Sequence, residues 1–288
     1  MMNNPKRSDG IRFAFFGTSH IAVYVLDALE AAGFIPQLIV TQQPKPKGRG
    51  LELHPTEVEL WARSRDIPVR HDATEFATSE WDVALVVDYG KLIPQTVLNV
   101  PRRGFLNVHP SLLPRLRGAS PIRSAILNDE RMTGVSIMVV AEGMDEGPIV
   151  AQKKISVEPW PLGNAALERI LLQAGGELLA QILPEWVVGN IHAQEQNHDV
   201  ATYAEKIKKE DGLLDLHSDA RKNLLKIRAY EGWPGTYALF ERAGKKIRVS
   251  ILDAHLEGTR LVLDIVKPEG KREMAYVEFL RSGAKPIP

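Results

Sequence analysis

Cysteine is absent from the 288 residues, which excludes disulfides, a cysteine nucleophile and thiolate-ligated zinc, and suits a reducing compartment. Net charge is absent too, since 36 basic residues balance 36 acidic ones. The balance is uneven along the chain: residues 1–199 carry 19 Lys+Arg against 23 Asp+Glu, and residues 200–288 carry 17 against 13. That mild excess at the C-terminal end allows a polyanionic partner without requiring one. No stretch reaches the roughly 18 uninterrupted apolar residues of a membrane span. Met1 to Gly10 is too polar for a signal peptide, so a cytoplasmic protein is expected. A Walker loop and an HExxH helix are missing, and eight scattered histidines without cysteine form no ligand set, so no metal is expected. Gly17-Thr18-Ser19-His20 lacks the further glycines of a dinucleotide fingerprint and reads as a tight strand-to-helix turn, with Thr18 or Ser19 as helix cap.

What is present is a rhythm of apolar runs and helical spacings. Ile11 to Phe16, Leu38 to Thr41 and Val83 to Val87 read as buried strands. Ile21, Val25, Leu26 and Leu29 recur at helical spacing, and Val58 to Arg65 also reads as helix. Further strands are expected at Phe105 to His109 and Val135 to Val140, with a helix over Pro121 to Leu127 between them. This βαβ order predicts an α/β fold with a Rossmann-like, mostly parallel sheet, whose ligands gather beyond the carboxyl ends of the strands. A helix over Gly163 to Leu183 closes the domain near Pro184, and Tyr203 to Lys209 and Ala220 to Ala229 look helical. Short strands follow at Tyr237 to Phe240, Ile247 to Leu252, Leu261 to Ile265 and Ala275 to Phe279, the pattern of a small β-barrel. The expected division is a catalytic domain over 1–190, a linker over 191–205 and a C-terminal barrel of OB-like type over 206–288.

The stretch Phe105 to Ile122, FLNVHPSLLPRLRGASPI, concentrates the chemistry. Side chains two apart on a strand share a face, so Asn107 and His109 point together while Leu106 and Val108 point into the core. An amide and an imidazole then meet at a strand end. Asp145 lies in a second Gly-bounded turn, Gly143-Met144-Asp145-Glu146-Gly147, after another apolar run. By spacing alone each has an ordinary alternative: Asn107 satisfying loop backbone, His109 as a core histidine, Asp145 as a turn former.

The pattern Asn107-x-His109-x-Ser111-Leu112-Leu113-Pro114-x-x-x-Gly118, with Gly143-Met144-Asp145, resembles the signature of the folate-dependent formyltransferases. Further segments are similar to the members of that superfamily that act on methionyl initiator tRNA: Phe16-Gly17-Thr18, the loop from Thr41 to Gly50, Ala201 to Ile207, Ile227 to Tyr230 with Trp233-Pro234, and Glu278 to Gly283. The resemblance implies transfer of a formyl group from 10-formyltetrahydrofolate to the α-amine of methionyl initiator tRNA. It implies catalytic roles for Asn107, His109 and Asp145, and folate-binding roles for Ser111, Leu112, Leu113 and Pro114 and for Tyr89, Gly90, Lys91 and Leu92. Lys45, Lys47 and Arg49 make the Thr41 to Gly50 loop basic, as phosphate contact requires, and the resemblance implies that they meet the tRNA. A monomer is expected. Three positions depart from the family pattern: Lys45 stands where an Arg is usual, Glu146-Gly147-Pro148 where Thr-Gly-Asp is usual, and Leu116 where an aromatic is common. Two alternatives stay open, a formyltransferase acting on another amine (a sugar nucleotide or purine precursor) and a non-catalytic tRNA- or folate-binding relative.

Overall fold

In the computed structural model, which describes residues 10–47 and 52–287, the chain divides into two compact units. The first comprises Met1–Arg117, Gly134–Ile155 and Glu168–Thr202, and the second comprises Gly118–Thr133, Ser156–Leu167 and Tyr203–Pro288. The units interleave along the chain, whereas the sequence suggested a linear division. The helix Pro121–Leu127 packs on the helix Ala220–Ala229 and so groups with the C-terminal residues.

The first unit is built on a seven-stranded sheet. Its strands run in the order Ile149–Ser156, Met132–Val139, Phe105–His109, Val83–Val87, Phe13–Gly17, Leu38–Val40 and Val69–Arg70. Pairing is parallel from Phe105–His109 through Val69–Arg70. Phe105–His109 and Met132–Val139 pair antiparallel, so the sheet is mostly parallel, as expected. The strand Phe13–Gly17 is buried at every residue because it lies in the middle of this sheet. Phe16 meets Phe76, Phe105 and Tyr89 edge-on at ring-centroid distances of 5.2, 5.0 and 5.5 Å. Each such buried ring contributes about 1.5–3 kcal/mol by leaving water, and the cluster fixes the base of the loop that carries Tyr89. The chain winds outward from Phe13–Gly17 in one direction and then returns to its other side at Val83–Val87. That reversal opens a crevice at the carboxyl ends of these two strands.

Several local expectations are revised. Ser19 stands at the N-cap of the helix His20–Ala31 without a capping hydrogen bond. Its hydroxyl turns to Asp88, and Thr18 Oγ1 donates to the Tyr89 carbonyl (2.8 Å), so both hydroxyls tie the two crevice loops together instead. The helix Asn164–Val188 runs through Pro184, because Trp186 and Val187 beyond it are buried and outweigh the lost backbone bond. Gly175 and Gly176 let this helix approach closely: a Cβ on either would strike Val108 or Ala28. The strand Ile149–Ser156, whose apolar run is broken by Gln152, Lys153 and Lys154, is an addition to the expected strands. Tyr203 to Lys209 is not a helix but a two-residue strand, Tyr203–Ala204, followed by irregular chain.

The second unit holds a five-stranded antiparallel sheet in which Thr236–Arg242, Lys245–Glu257 and Arg260–Pro268 form the centre. Ala275 to Phe279 is a correction here as well, since Tyr276–Leu280 is helical. Tyr276 and Phe279, three apart, both turn onto Phe240, and that shared target selects the helical period over the strand period. Asp129 in this unit accepts from Arg221 Nε and Nη2 (3.1 and 2.6 Å) and from Trp160 Nε1 (2.7 Å). Chiefly the Arg221 hydrogen bonds, and then that of Trp160, hold its carboxyl below the usual range. A depressed carboxyl stabilises the fold above the unfolded-state value and loses that contribution as pH falls through the folded one. Asp129→Asn, which tolerates the positive φ of 57°, is expected to cost about 0.5 kcal/mol at pH 7, discounted for solvent exposure. The gap from wild type should persist to about pH 4 and narrow below it, as urea melts near pH 7 and pH 3 would report.

Candidate active site

A cleft of about 770 Å³ opens in the first unit beside the strands Val83–Val87, Phe105–His109 and Met132–Val139. Its wall includes Val86, Asn107 and Met138, which are register partners on three adjacent strands and so form one row across the sheet face. Tyr89 to Leu92 and Glu142 to Asp145 supply the rims. Leu92 is 97% exposed and Met144 67% exposed, so apolar surface stands in water at the mouth. Such surface suits a ligand with an extended aromatic body.

Asn107 and His109 share a strand face as the two-residue period requires, but they do different things there. Asn107 reaches the cleft wall, whereas His109 is buried and is not among the lining residues. His109 Nε2 lies 3.0 Å from the carbonyl oxygen of Leu116. A carbonyl only accepts, so Nε2 carries the hydrogen and Nδ1 is the nitrogen left to face Asp145. Nδ1 is 3.6 Å from Asp145 Oδ2. The ring N–H is thus engaged by backbone, and the histidine stands behind the aspartate. Asp145 itself has φ +52°, the left-handed region in which Asp is among the better tolerated side chains.

The turn that carries Asp145 has no room to spare. A Cβ on Gly147 would collide with the backbone oxygen of Val139. Gly147→Ala therefore has to displace the turn, and is expected to lower turnover at least about tenfold, since misplacement by an ångström can cost about a hundredfold. Turnover with an unchanged melting temperature would separate this displacement from unfolding.

The other expected residues fall into three groups. Tyr89, Gly90, Lys91 and Leu92 line the cleft. Burial pushes the Tyr89 phenol up from its ordinary value, with Asp72 adding to the shift. Ser111, Leu112, Leu113 and Pro114 form the turn after the strand and are not among the lining residues. Ser136 Oγ donates to the Ser111 carbonyl (2.7 Å) and accepts from the Leu113 N–H (3.0 Å), and Gln152 Nε2 donates to the Leu113 carbonyl (2.8 Å). Ser136 is the register partner of His109, and a lone polar residue in the apolar run Val135 to Val140 is the signal that could have found it. Lys45 lies on the short strand Lys45–Lys47, and its Nζ donates to Gln42 Oε1 (2.7 Å). Gln42 Nε2 donates in turn to the Tyr89 carbonyl (2.8 Å), linking the basic loop to the cleft rim. Arg49 lies outside the described residues, and Lys47 is described in its backbone alone.

The family model described as Formyl transferase matches residues 11–183, and the one described as Formyl transferase, C-terminal domain matches residues 206–260. The chain is 38% identical over 285 residues to the methionyl-tRNA formyltransferase of Thermotoga maritima, covering 93% of this chain and 91% of that protein. Among solved structures, the methionyl-tRNA formyltransferase from Clostridium thermocellum aligns with a TM-score of 0.57 at 16% identity, over 90% of this chain and 98% of that one. The N-formyltransferase from Helicobacter canadensis, solved with folinic acid and dTDP-3-aminofucose, aligns with a TM-score of 0.64 at 16% identity, over 92% and 98%. Likenesses at this identity speak for the fold alone. Sequence kinship over nearly the full length, together with the two matched domains, is more specific: the chain belongs to the formyltransferase family, among the methionyl-tRNA formyltransferases.

Proposed function

We propose that the cleft transfers the formyl group of 10-formyltetrahydrofolate to the α-amine of methionyl initiator tRNA. The observation that carries this reading is that Asn107 and Asp145 line one cleft, with His109 Nδ1 3.6 Å from Asp145 Oδ2. Attack by the amine lone pair forms the new N–C bond and drives the carbonyl π pair onto the formyl oxygen. The Asn107 side-chain amide donates to that oxyanion. Asp145 takes the proton that the attacking nitrogen sheds, and His109 Nδ1, a lone-pair acceptor in the tautomer bonded to Leu116, shares it. The 3.6 Å separation has to shorten to hydrogen-bond length for that sharing, as often happens when a substrate closes a site. Collapse of the tetrahedral adduct breaks the bond to the folate nitrogen, which receives the proton. Charge and atoms balance without a covalent enzyme intermediate.

Tyr89, Gly90, Lys91 and Leu92 hold the folate along the cleft rim, and Ser111, Leu112, Leu113 and Pro114 support it from the turn behind. Lys45, Lys47 and Arg49 meet phosphates near the acceptor end. Lys45 does so as a point charge, without the two-pronged geometry of an arginine. The catalytic residues lie within 1–190, and 206–288, net positive, assist in holding tRNA. The protein acts as a monomer in the cytoplasm. The purified chain, given labelled donor, is expected to place label on methionyl initiator tRNA and not on an amino-sugar nucleotide. Labelling of the sugar nucleotide alone would reassign the acceptor.

A further inference from the structure

Asp145 depends on a buried brace that lies off the cleft. Arg117 is buried to 1% exposure, and a cation so placed is costly unless its donors are satisfied. Its Nε and Nη2 both donate to Gln196 Oε1 (3.0 and 2.7 Å), and its Nη1 lies 3.2 Å from His198 Nδ1. A guanidinium only donates, so the amide oxygen of Gln196 must face it. The amide nitrogen then points the other way and donates to the backbone carbonyls of Asp145 (2.8 Å) and Gly147 (2.7 Å). Flipping the amide would set N–H against guanidinium and oxygen against two carbonyls, so the arrangement has one orientation. All four hydrogen bonds of the amide are made.

We propose that Gln196, oriented by Arg117, is a positioning residue that aims the Asp145 carboxylate at the reacting amine and at His109. Asp145 occupies the left-handed region, which disfavours an unclamped non-glycine residue. Two hydrogen bonds from one amide fix the peptide planes that follow Asp145 and Gly147 and hold the turn in that conformation. Gln196 is not among the cleft-lining residues, so its influence falls on turnover and not on substrate binding.

This inference rests on the proposed role of Asp145, and the experiment separates the two. Gln196→Glu keeps an oxygen toward Arg117, while its second oxygen replaces both donors and faces the two carbonyls. Turnover and KM for both substrates would be measured for wild type, Q196E, D145N and the double variant, with melting temperatures. Q196E is expected to lower kcat by about 10–100-fold and to leave both KM values within about threefold. In the D145N background the same change should cost no more than about twofold, because a residue acting through Asp145 has nothing left to aim. Wild-type kcat in Q196E alongside an impaired D145N would overturn the brace alone. Losses that multiply in the double variant would also overturn it, in favour of a general structural role. An unimpaired D145N would sink both the brace and the role of Asp145. Should Q196E not fold, Arg117→Lys, which keeps the charge but loses the paired donors, decides the question. It should lower kcat by about 3–10-fold in wild type and not in D145N, and wild-type kcat in R117K would count against the brace.

Discussion

Asn107→Ala is expected to lower the turnover number by about a hundred- to a thousandfold, the usual effect of removing one oxyanion donor. Its side chain stands between Val86 and Met138 in one row of the cleft wall, at the midpoint of its strand. Truncation there removes a donor without opening the core, so thermal stability should stay near that of wild type. Folate affinity, measured by equilibrium titration, should also stay within a few-fold, because the amide interacts with the formyl oxygen most strongly when it carries charge. A rise in KM with unchanged kcat would mean that Asn107 binds ground state and transition state alike.

The second large effect is expected at Asp145. Asp145→Asn is nearly isosteric and tolerates the positive φ, so it tests the carboxylate and not the turn. Loss of the group that takes the proton should lower kcat by about a hundred- to ten-thousandfold. An asparagine at this position also presents no carboxyl proton to His109 Nδ1. His109→Asn is the weaker variant to interpret, because it would also leave the Leu116 carbonyl without the Nε2 donor.

Much of the site was legible in the sequence because strand period is local information. Alternation alone placed Asn107 and His109 on one face, and the βαβ rhythm placed that face at a strand end. The approach of Asp145 to His109 was not legible from spacing, since it depends on how the strand Met132–Val139 pairs with Phe105–His109. There the family resemblance did the work. Electronic detail was the least accessible. Which imidazole nitrogen carries hydrogen depends on the Leu116 carbonyl, itself aimed by a residue at φ +56°. Gln196 sits in a polar stretch that reads as linker, and Arg117 is a cation, yet both are buried. The two lie 79 residues apart along the chain, beyond the reach of any local pattern. The Tyr276–Leu280 helix failed for a related reason: five residues fit either period, and Phe240 chose between them.

The decisive test of formyl transfer at this cleft is a rapid-quench single turnover, with enzyme preloaded with labelled 10-formyltetrahydrofolate and mixed with excess methionyl initiator tRNA. Wild type should move label to the methionyl amine in one fast phase. Asn107→Ala and Asp145→Asn should each slow that phase by at least about a hundredfold, with the donor still bound. Transfer at the wild-type rate in both variants would place the chemistry elsewhere in the molecule.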